Sequence, residues 1–157
     1  MLKINIVAVG KVKEKYFTEG INEYLKRLTR FAEVKIIEVK EEVCPKETDG
    51  EIKSVIKREG ESILPLLKGY VIALCIEGKK LSSEDLSLKI KEIAVNGDSE
   101  ITFVIGGSYG LSDAVKSKAN YKLSFSDMTF PHTLMRLILT EQLYRAFMIN
   151  GGSSYHK

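Results

Sequence analysis

The sequence is poor in cysteine, proline and long apolar runs, and each shortage excludes a class of protein. Its two cysteines, Cys44 and Cys75, form no CxxC pair, which favours a reducing compartment over a disulfide framework or a structural metal site. No apolar run approaches the roughly 20 residues of a membrane-spanning helix. The opening run Leu2–Val9 lacks the small-residue cleavage site of a secretory leader. We therefore expect a cytoplasmic protein that binds neither a membrane nor a metal.

The sequence also lacks a large excess of either positive or negative charge. The 157 residues include 24 basic and 21 acidic side chains, so the formal net charge is +3. That excess is too small to indicate a nucleic-acid-binding protein from bulk charge alone. A site for a polyanion must therefore be argued from the placement of individual side chains.

The sequence alternates apolar runs with segments whose apolar residues recur at helical spacing. The runs predict five strands, most of them buried on both faces: Leu2–Val9, Val34–Val39, Tyr70–Ile76, Ile101–Ile105 and Tyr121–Leu123. The periodicities predict helices over Tyr16–Phe31, Ile52–Leu67, Ser82–Asn96, Ser112–Lys118 and Pro131–Ile149. Without a linker or repeat, residues 1–157 are expected to form one α/β domain, its mostly parallel sheet covered by helices on both faces.

The last predicted helix is apolar almost all round, which in water indicates burial against more than one surface. Its polar residues form two pairs at helical spacing. His132 and Arg136 share one face, whereas Glu141 and Arg145 share a nearly opposite face in the order that favours an ion pair. One face is therefore available to a site while the other meets a neighbouring element or subunit.

The segment Gly106–Gly110 lies between a predicted strand and a helix and has two interpretations. It matches G-x-S-x-G, the nucleophile elbow of hydrolases, and Ser108 is followed by Asp127 and by His132 or His156 in triad order. The chain is short for such a hydrolase. In the other interpretation, the glycines let the backbone approach a ligand beyond the carboxyl end of the strand.

The segment Ser124–His132 precedes the last helix. Its hydroxyl groups alternate with Phe125, Met128 and Phe130, a pattern suited to a pocket for a flat, partly apolar ligand such as adenine. The same apolar residues are equally compatible with simple packing under a loop.

The chain ends in Tyr155-His156-Lys157 after two glycines, Gly151 and Gly152. The three side chains suit stacking on a base, proton transfer near neutral pH and contact with a phosphate. A chain end of this kind is also typical of a disordered tail.

Several segments together match a known pattern: Ile6–Lys11, Leu74–Gly78, Phe103–Ser112, Leu123–Ser126, Met128–His132, Glu141–Ala146 and Tyr155–Lys157. They span the whole chain and closely resemble the RlmH family, ribosomal RNA large-subunit methyltransferases H of the SPOUT superfamily. The resemblance implies a SPOUT-type α/β fold with a C-terminal trefoil knot and a homodimer. It also implies methyl transfer from S-adenosylmethionine to N3 of pseudouridine-1915, in helix 69 of the 23S rRNA of the assembled 70S ribosome.

The resemblance also assigns site residues. The cofactor pocket is expected to involve Leu74, Gly106, Phe125, Ser126, Asp127, Met128, Thr129 and Phe130, and the terminal Tyr-His-Lys is expected beside the active site. Family members usually carry a charged, proline-containing stretch where this chain has Gly151–Ser154. The loss of the proline predicts a more flexible tail.

The implied reaction requires a group that accepts the N3 proton of the target base. His156 is the candidate base, Tyr155 is expected to stack on or orient the flipped base, and Arg136 to favour the imide anion or hold a phosphate. Lys157, His132 and Arg145 are candidate substrate-binding residues, although His132 also suits a buried structural role. The alternative without catalysis is a ribosome-associated RNA-binding factor, which would need no intact adenine pocket.

Overall fold

A computed structural model describes residues 1–157 and contains five strands and five α-helices. The strands are β1 (Leu2–Val9), β2 (Ala32–Val39), β3 (Tyr70–Lys80), β4 (Glu100–Ile105) and β5 (Tyr121–Ser124). The helices are α1 (Lys15–Leu28), α2 (Asp49–Ile63), α3 (Ser83–Val95), α4 (Asp113–Lys118) and α5 (His132–Asn150), and a 3₁₀ turn (Leu64–Leu66) follows α2. None of the helices is long and apolar enough to span a bilayer.

The strands form one sheet in the order β2-β1-β4-β3-β5, and every neighbouring pair is parallel. The predicted parallel sheet is thus confirmed. Residues Ile4–Val9 of β1 and Ile101–Ile105 of β4 are buried throughout, as expected for central strands covered on both faces. Because all strands run in one direction, their carboxyl ends lie along a single edge of the sheet.

Alternate residues of the strands point into two apolar cores. Helices α1, α3 and α5 cover the larger core, which takes Ile4, Ile6 and Phe103 from the sheet. Helices α2 and α4 cover the smaller core, which takes Val7 and Val104. Helix α5 packs against both α1 and α3, so it occupies the middle of its face.

Hydroxyl side chains begin three of the helices. The Ser82 and Ser112 hydroxyls accept hydrogen bonds from backbone amides of α3 and α4, at 3.0 and 3.2 Å, as the sequence predicts. Helix α2 begins earlier than predicted, because the Thr48 hydroxyl accepts from the amide of Glu51 at 3.2 Å. Helix α1 ends at Leu28, before the predicted end, since the next residues turn directly into β2.

Strand β3 is longer than the sequence predicts and changes register against β5. It pairs with β5 up to Leu74 and again from Lys79, so that Cys75–Gly78 form a bulge between the two stretches. The polar residues after Ile76 end the apolar pattern, which is why the sequence predicts too short a strand. A bulge redirects side chains, and this one turns Cys75–Glu77 towards a cavity.

The buried face of α5 gives a test of the packing. Leu139 is 0% exposed in the larger core, whereas Leu88 on α3 is 53% exposed. We expect Leu139→Ala to lower the free energy of unfolding by about 2–5 kcal/mol, because the lost contacts leave a cavity. Leu88→Ala is expected to change it by about 0.5 kcal/mol or less. Urea unfolding measures both, and equal losses in the two variants would contradict the position of α5.

Candidate active site

A cavity of about 860 Å³ lies at the carboxyl ends of β3, β4 and β5. Three structures form its walls: the Cys75–Gly78 bulge, the turn after β4 and the loop before α5. The first residues of α5 close one side, including His132 and Met135. The position at the carboxyl edge is the one at which open parallel sheets bind ligands.

The turn after β4 brings its backbone close to the cavity. Gly107 and Gly110 form a bridge, and the amide of Gly110 donates to the carbonyl of Gly107 at 3.1 Å. Gly110 has φ +87°, and a Cβ added at Gly106 would lie 2.8 Å from the carbonyl carbon of Gly110. Only glycine fits at these two positions, and the structure favours the ligand-turn interpretation.

A buried carboxyl group lies against this turn. Glu59 of α2 is 3% exposed, its Oε2 accepts from the amide of Glu42 at 3.0 Å, and its Oε1 has no partner. A Cβ at Gly107 would lie 3.0 Å from that Oε1. Burial raises the pKa of the Glu59 carboxyl. Sequence reasoning missed this residue, because a glutamate within an amphipathic helix carries no sign of burial.

The loop before α5 forms the opposite wall and is held by its own serines. The Ser124 hydroxyl donates to the carbonyl of Ser126 at 3.1 Å, and the Ser126 hydroxyl accepts from the amide of Met128 at 2.9 Å. Of the candidate cofactor-binding residues, those in the cavity wall are Leu74, Gly106, Phe125, Ser126, Met128, Thr129 and Phe130. Asp127 is outside the wall, and its carboxylate pairs with Lys80 at 2.6 Å.

The terminal residues fold back onto α3 and α5. His156 Nδ1 is 3.1 Å from Arg145 Nη1, and His156 Nε2 is 2.5 Å from Glu84 Oε1. The ring of Tyr155 lies under the Arg145 guanidinium, 4.9 Å from its centre. Burial, with hydrogen bonding to Tyr24, raises the pKa of Tyr155 to about 12. The predicted Glu141–Arg145 ion pair is present at 2.6 Å and forms the floor of this arrangement.

The tail and the cavity lie apart within one chain. No tail residue lines the cavity, which meets α5 only up to Met135. The tail contacts α5 at Glu141 and Arg145. At 1.5 Å per residue, Arg145 is about 18 Å along the helix from Thr133 at the cavity.

Arg136 does not join the tail either. Its side chain is 3% exposed; Nη1 donates to Glu38 Oε2 at 2.5 Å and Nη2 to the carbonyl of Gly10 at 3.2 Å. His132, one turn earlier, does line the cavity, with Nε2 3.7 Å from Glu41 Oε1. Within one chain, Arg136 therefore lies apart from Tyr155 and His156, the other two candidate catalytic residues.

The hydrolase interpretation finds no assembled triad. Ser108 is exposed in the glycine turn and bonds to neither histidine. Asp127 pairs with Lys80, His132 faces a glutamate and His156 is held by two other side chains. The geometry provides no general base for Ser108.

Comparison with known proteins decides the family. A family model described as "Predicted SPOUT methyltransferase" matches residues 2–156. Proteins named "Ribosomal RNA large subunit methyltransferase H" are 53% identical in Leuconostoc mesenteroides, 54% in Lactobacillus delbrueckii and 52% in Clostridioides difficile. Each alignment covers 99% of this chain and 100% of the relative. The chain belongs to the RlmH family of SPOUT methyltransferases.

Two solved structures agree with the SPOUT fold. A probable methylase family protein from Haemophilus influenzae aligns with TM-score 0.53 at 13% identity, over 99% of this chain and 70% of that one. A probable methyltransferase from Bordetella pertussis gives TM-score 0.53 at 9% identity, over 92% and 96%. The resemblance drawn from the motifs is confirmed, whereas the trefoil knot stays a prediction.

Some cavity residues of this RlmH-family chain were not among the candidate residues. They include Cys75, Glu77, Tyr109 and Lys116, of which Lys116 and Glu77 form an ion pair at 2.5 Å. Lys116 holds the pKa of the Glu77 carboxyl below its usual range. For Cys75, Glu77 and Tyr109, the available signal was their position near the carboxyl ends of the predicted strands Tyr70–Ile76 and Ile101–Ile105, because such positions share one edge of the sheet. Lys116, inside α4, carried no such signal.

The contact between the tail and α3 can be tested by titration. The hydrogen bond from His156 lowers the pKa of the Glu84 carboxyl. The docked tail is therefore fully stabilised at pH values above the ordinary pKa of a glutamate. This stabilisation is lost as the pH falls through the lowered pKa of Glu84. In carbon-13 NMR, the Glu84 carboxyl should have a lower pKa in the native chain than in His156→Ala. Lys157→Ala is the matched control and should keep the lowered value. An unchanged titration in His156→Ala would contradict the docked tail.

Proposed function

We propose that this protein transfers a methyl group from S-adenosylmethionine to N3 of a pseudouridine, pseudouridine-1915 in helix 69 of 23S rRNA. In this proposal the protein works in the cytoplasm, as a homodimer, on the assembled 70S ribosome. The observation that carries it is the full-length similarity to proteins named ribosomal RNA large subunit methyltransferase H. The glycine turn and the cavity at the carboxyl edge support it independently.

The cavity suits the methyl donor in size and character. Its volume, about 860 Å³, lies in the range of small-molecule sites. Leu74, Phe125 and Phe130 offer apolar surface for the adenine, and Ser126 and Thr129 offer hydroxyl groups. The turn at Gly106 is closed tightly on Gly110, so its backbone forms this part of the cavity wall. When bound, S-adenosylmethionine supplies an electrophilic methyl group.

The chain itself must align the acceptor base and remove its N3 proton. His156 Nε2 faces the Glu84 carboxylate at 2.5 Å, so this nitrogen carries the ring hydrogen. Nδ1 is then the atom that accepts the N3 proton, once the Arg145 N–H at 3.1 Å turns away. Glu84 stabilises the resulting imidazolium, and Tyr155 stacks on or orients the base.

A homodimer reconciles this chemistry with the distance between tail and cavity. The outward side of α5 carries Leu134, Ile138 and Met148, all half-buried, beside the Glu141–Arg145 pair that holds the tail. A second copy packed on this side covers the apolar stripe and places the tail of one protomer at the cavity of the other. The homodimer thereby unites His156 with the methyl donor.

The buried position of Arg136 changes its proposed role. Its guanidinium is bound to Glu38 and to the carbonyl of Gly10, so it acts by positioning the start of α5. Lys157 remains exposed and suits a phosphate of the rRNA. His132 contacts the cofactor cavity, which suits its proposed place beside the substrate.

Removal of the last three residues tests the catalytic part of the proposal. We expect loss of the base to lower the methylation rate about 10²–10⁴-fold. Cells that lack the protein are complemented with the full or truncated chain, and mass spectrometry measures N3-methylpseudouridine in their 23S rRNA. The full chain should restore the modification and the truncated chain should not, although calorimetry should show that both bind S-adenosylmethionine. Normal methylation by the truncated chain would contradict the role of the tail.

A substitution in the glycine turn tests the cofactor pocket. Gly106→Ala places a Cβ 2.8 Å from the backbone of Gly110, so we expect S-adenosylmethionine affinity to fall about tenfold or more, roughly 1.4 kcal/mol. Gly50→Ala is the matched control, because a Cβ there meets nothing within 4 Å. Calorimetry measures both variants. A native chain without saturable heat would instead favour the non-catalytic RNA-binding factor.

A further inference from the structure

A second cavity, here called the lateral pocket, lies beside the ends of β1 and β2 and has a volume of about 460 Å³. Its walls include Lys11, Ile21, Asn22, Ile36, Glu38 and Arg136. These residues come from the loop after β1, from α1, from β2 and from α5. None of them lines the cofactor cavity, so the two cavities are distinct.

Arg136 forms an unusual part of this wall. Its side chain is 3% exposed, and two of its nitrogens are held by Glu38 and by the carbonyl of Gly10. The third, Nε, has no hydrogen-bond partner. Because this nitrogen is itself buried, it does not reach a molecule in the pocket, and Arg136 contributes its apolar stem and its charge to the wall instead.

The other walls combine apolar surface with both kinds of hydrogen-bonding group. Ile21 and Ile36 offer apolar contact, Asn22 offers an amide, and Glu38 Oε1 accepts no hydrogen bond within the chain. A nucleobase has this same combination, with apolar faces and an edge of donors and acceptors. A free phosphate fits less well, because the Glu38 carboxylate would repel it. Lys11 is exposed and can meet the backbone phosphate of a bound nucleotide.

The lateral pocket also lies close to the site of methyl transfer. His132 lines the cofactor cavity, and Arg136 lines the lateral pocket one helical turn later. They are four positions apart on α5, a rise of about 6 Å. The two cavities therefore lie about one helical turn apart along α5.

We propose that the lateral pocket binds an unpaired nucleotide of the substrate RNA that neighbours the target nucleotide. This proposal rests on the proposed rRNA methylation and adds a second point of RNA recognition to it. Apolar side chains hold the base, Asn22 and Glu38 contact its edge, and Lys11 contacts its phosphate.

The kinetic test combines two substitutions at the mouth of the pocket, Lys11→Met and Asn22→Leu. We expect the KM for ribosomes to rise about tenfold while the Kd for S-adenosylmethionine and the Tm stay unchanged. Because one phosphate contact is lost, the slope of log KM against the logarithm of the salt concentration should decrease by about one. The matched control, Lys53→Met with Ser54→Leu, changes the same kinds of exposed side chain on α2, across the sheet. An unchanged KM, or equal changes in both double variants, overturns the proposal.

A binding experiment tests the pocket independently of catalysis. The trinucleotide of uridine is titrated into the nitrogen-15-labelled protein, and NMR follows the side-chain amide of Asn22. We expect a saturable shift that Lys11→Met weakens and the Lys53→Met control does not. No shift at millimolar trinucleotide overturns the lateral pocket. A native chain that shows this shift and fails to methylate ribosomes refutes the proposed function instead.

Discussion

Burial of α5 against the sheet, between α1 and α3, is the packing on which both parts of the site depend. Leu139, Leu143 and Ala146 of this helix are at most 1% exposed and fill the larger core. The beginning of the helix then lies at the carboxyl edge of the sheet, where His132 enters the cofactor cavity. Its end carries the terminal residues back to α3. A rotation or shift of α5 would therefore displace the cavity wall and the tail together.

The buried pair of Arg136 and Glu38 fixes α5 at this position. Arg136 connects α5 to β2 through Glu38 and to the end of β1 through Gly10. Removing one partner of a buried pair costs about 3–5 kcal/mol, and the cost here is lower because the Glu38 side chain is 38% exposed. The pair therefore contributes more to register than to stability. It sets the start of α5, which borders both cavities, against β1 and β2.

The parts of the fold that depend on local pattern were predictable from the sequence. Apolar runs placed the central strands, and Ser82 and Ser112 marked the starts of their helices. The Glu141–Arg145 pair followed from helical spacing. The extension of β3 past Ile76 was not predictable, because its polar residues pair with β5 only after a bulge.

The residues that form the site were harder to predict from the sequence, because the site depends on contacts between residues far apart in the chain. Helix α5 is apolar nearly all round, so its pattern could not show that Arg136 lies on the buried side. The docking of His156 requires Glu84, which is 72 positions earlier in the chain. Motif resemblance named residues that line the cavity, yet it could not show that Asp127 pairs with Lys80 instead of lining it.

The position of α5 has a further consequence for the synthesis of the protein. The helix is the last element made, and yet it contacts the first, since Arg136 binds the carbonyl of Gly10 across 126 positions. Until α5 has packed, the apolar residues of β1 and β4 on that face are covered only by α1 and α3. Long-range contacts of this kind form late and leave apolar surface open to aggregation. The larger core is therefore complete only once α5 has packed against the rest of the fold.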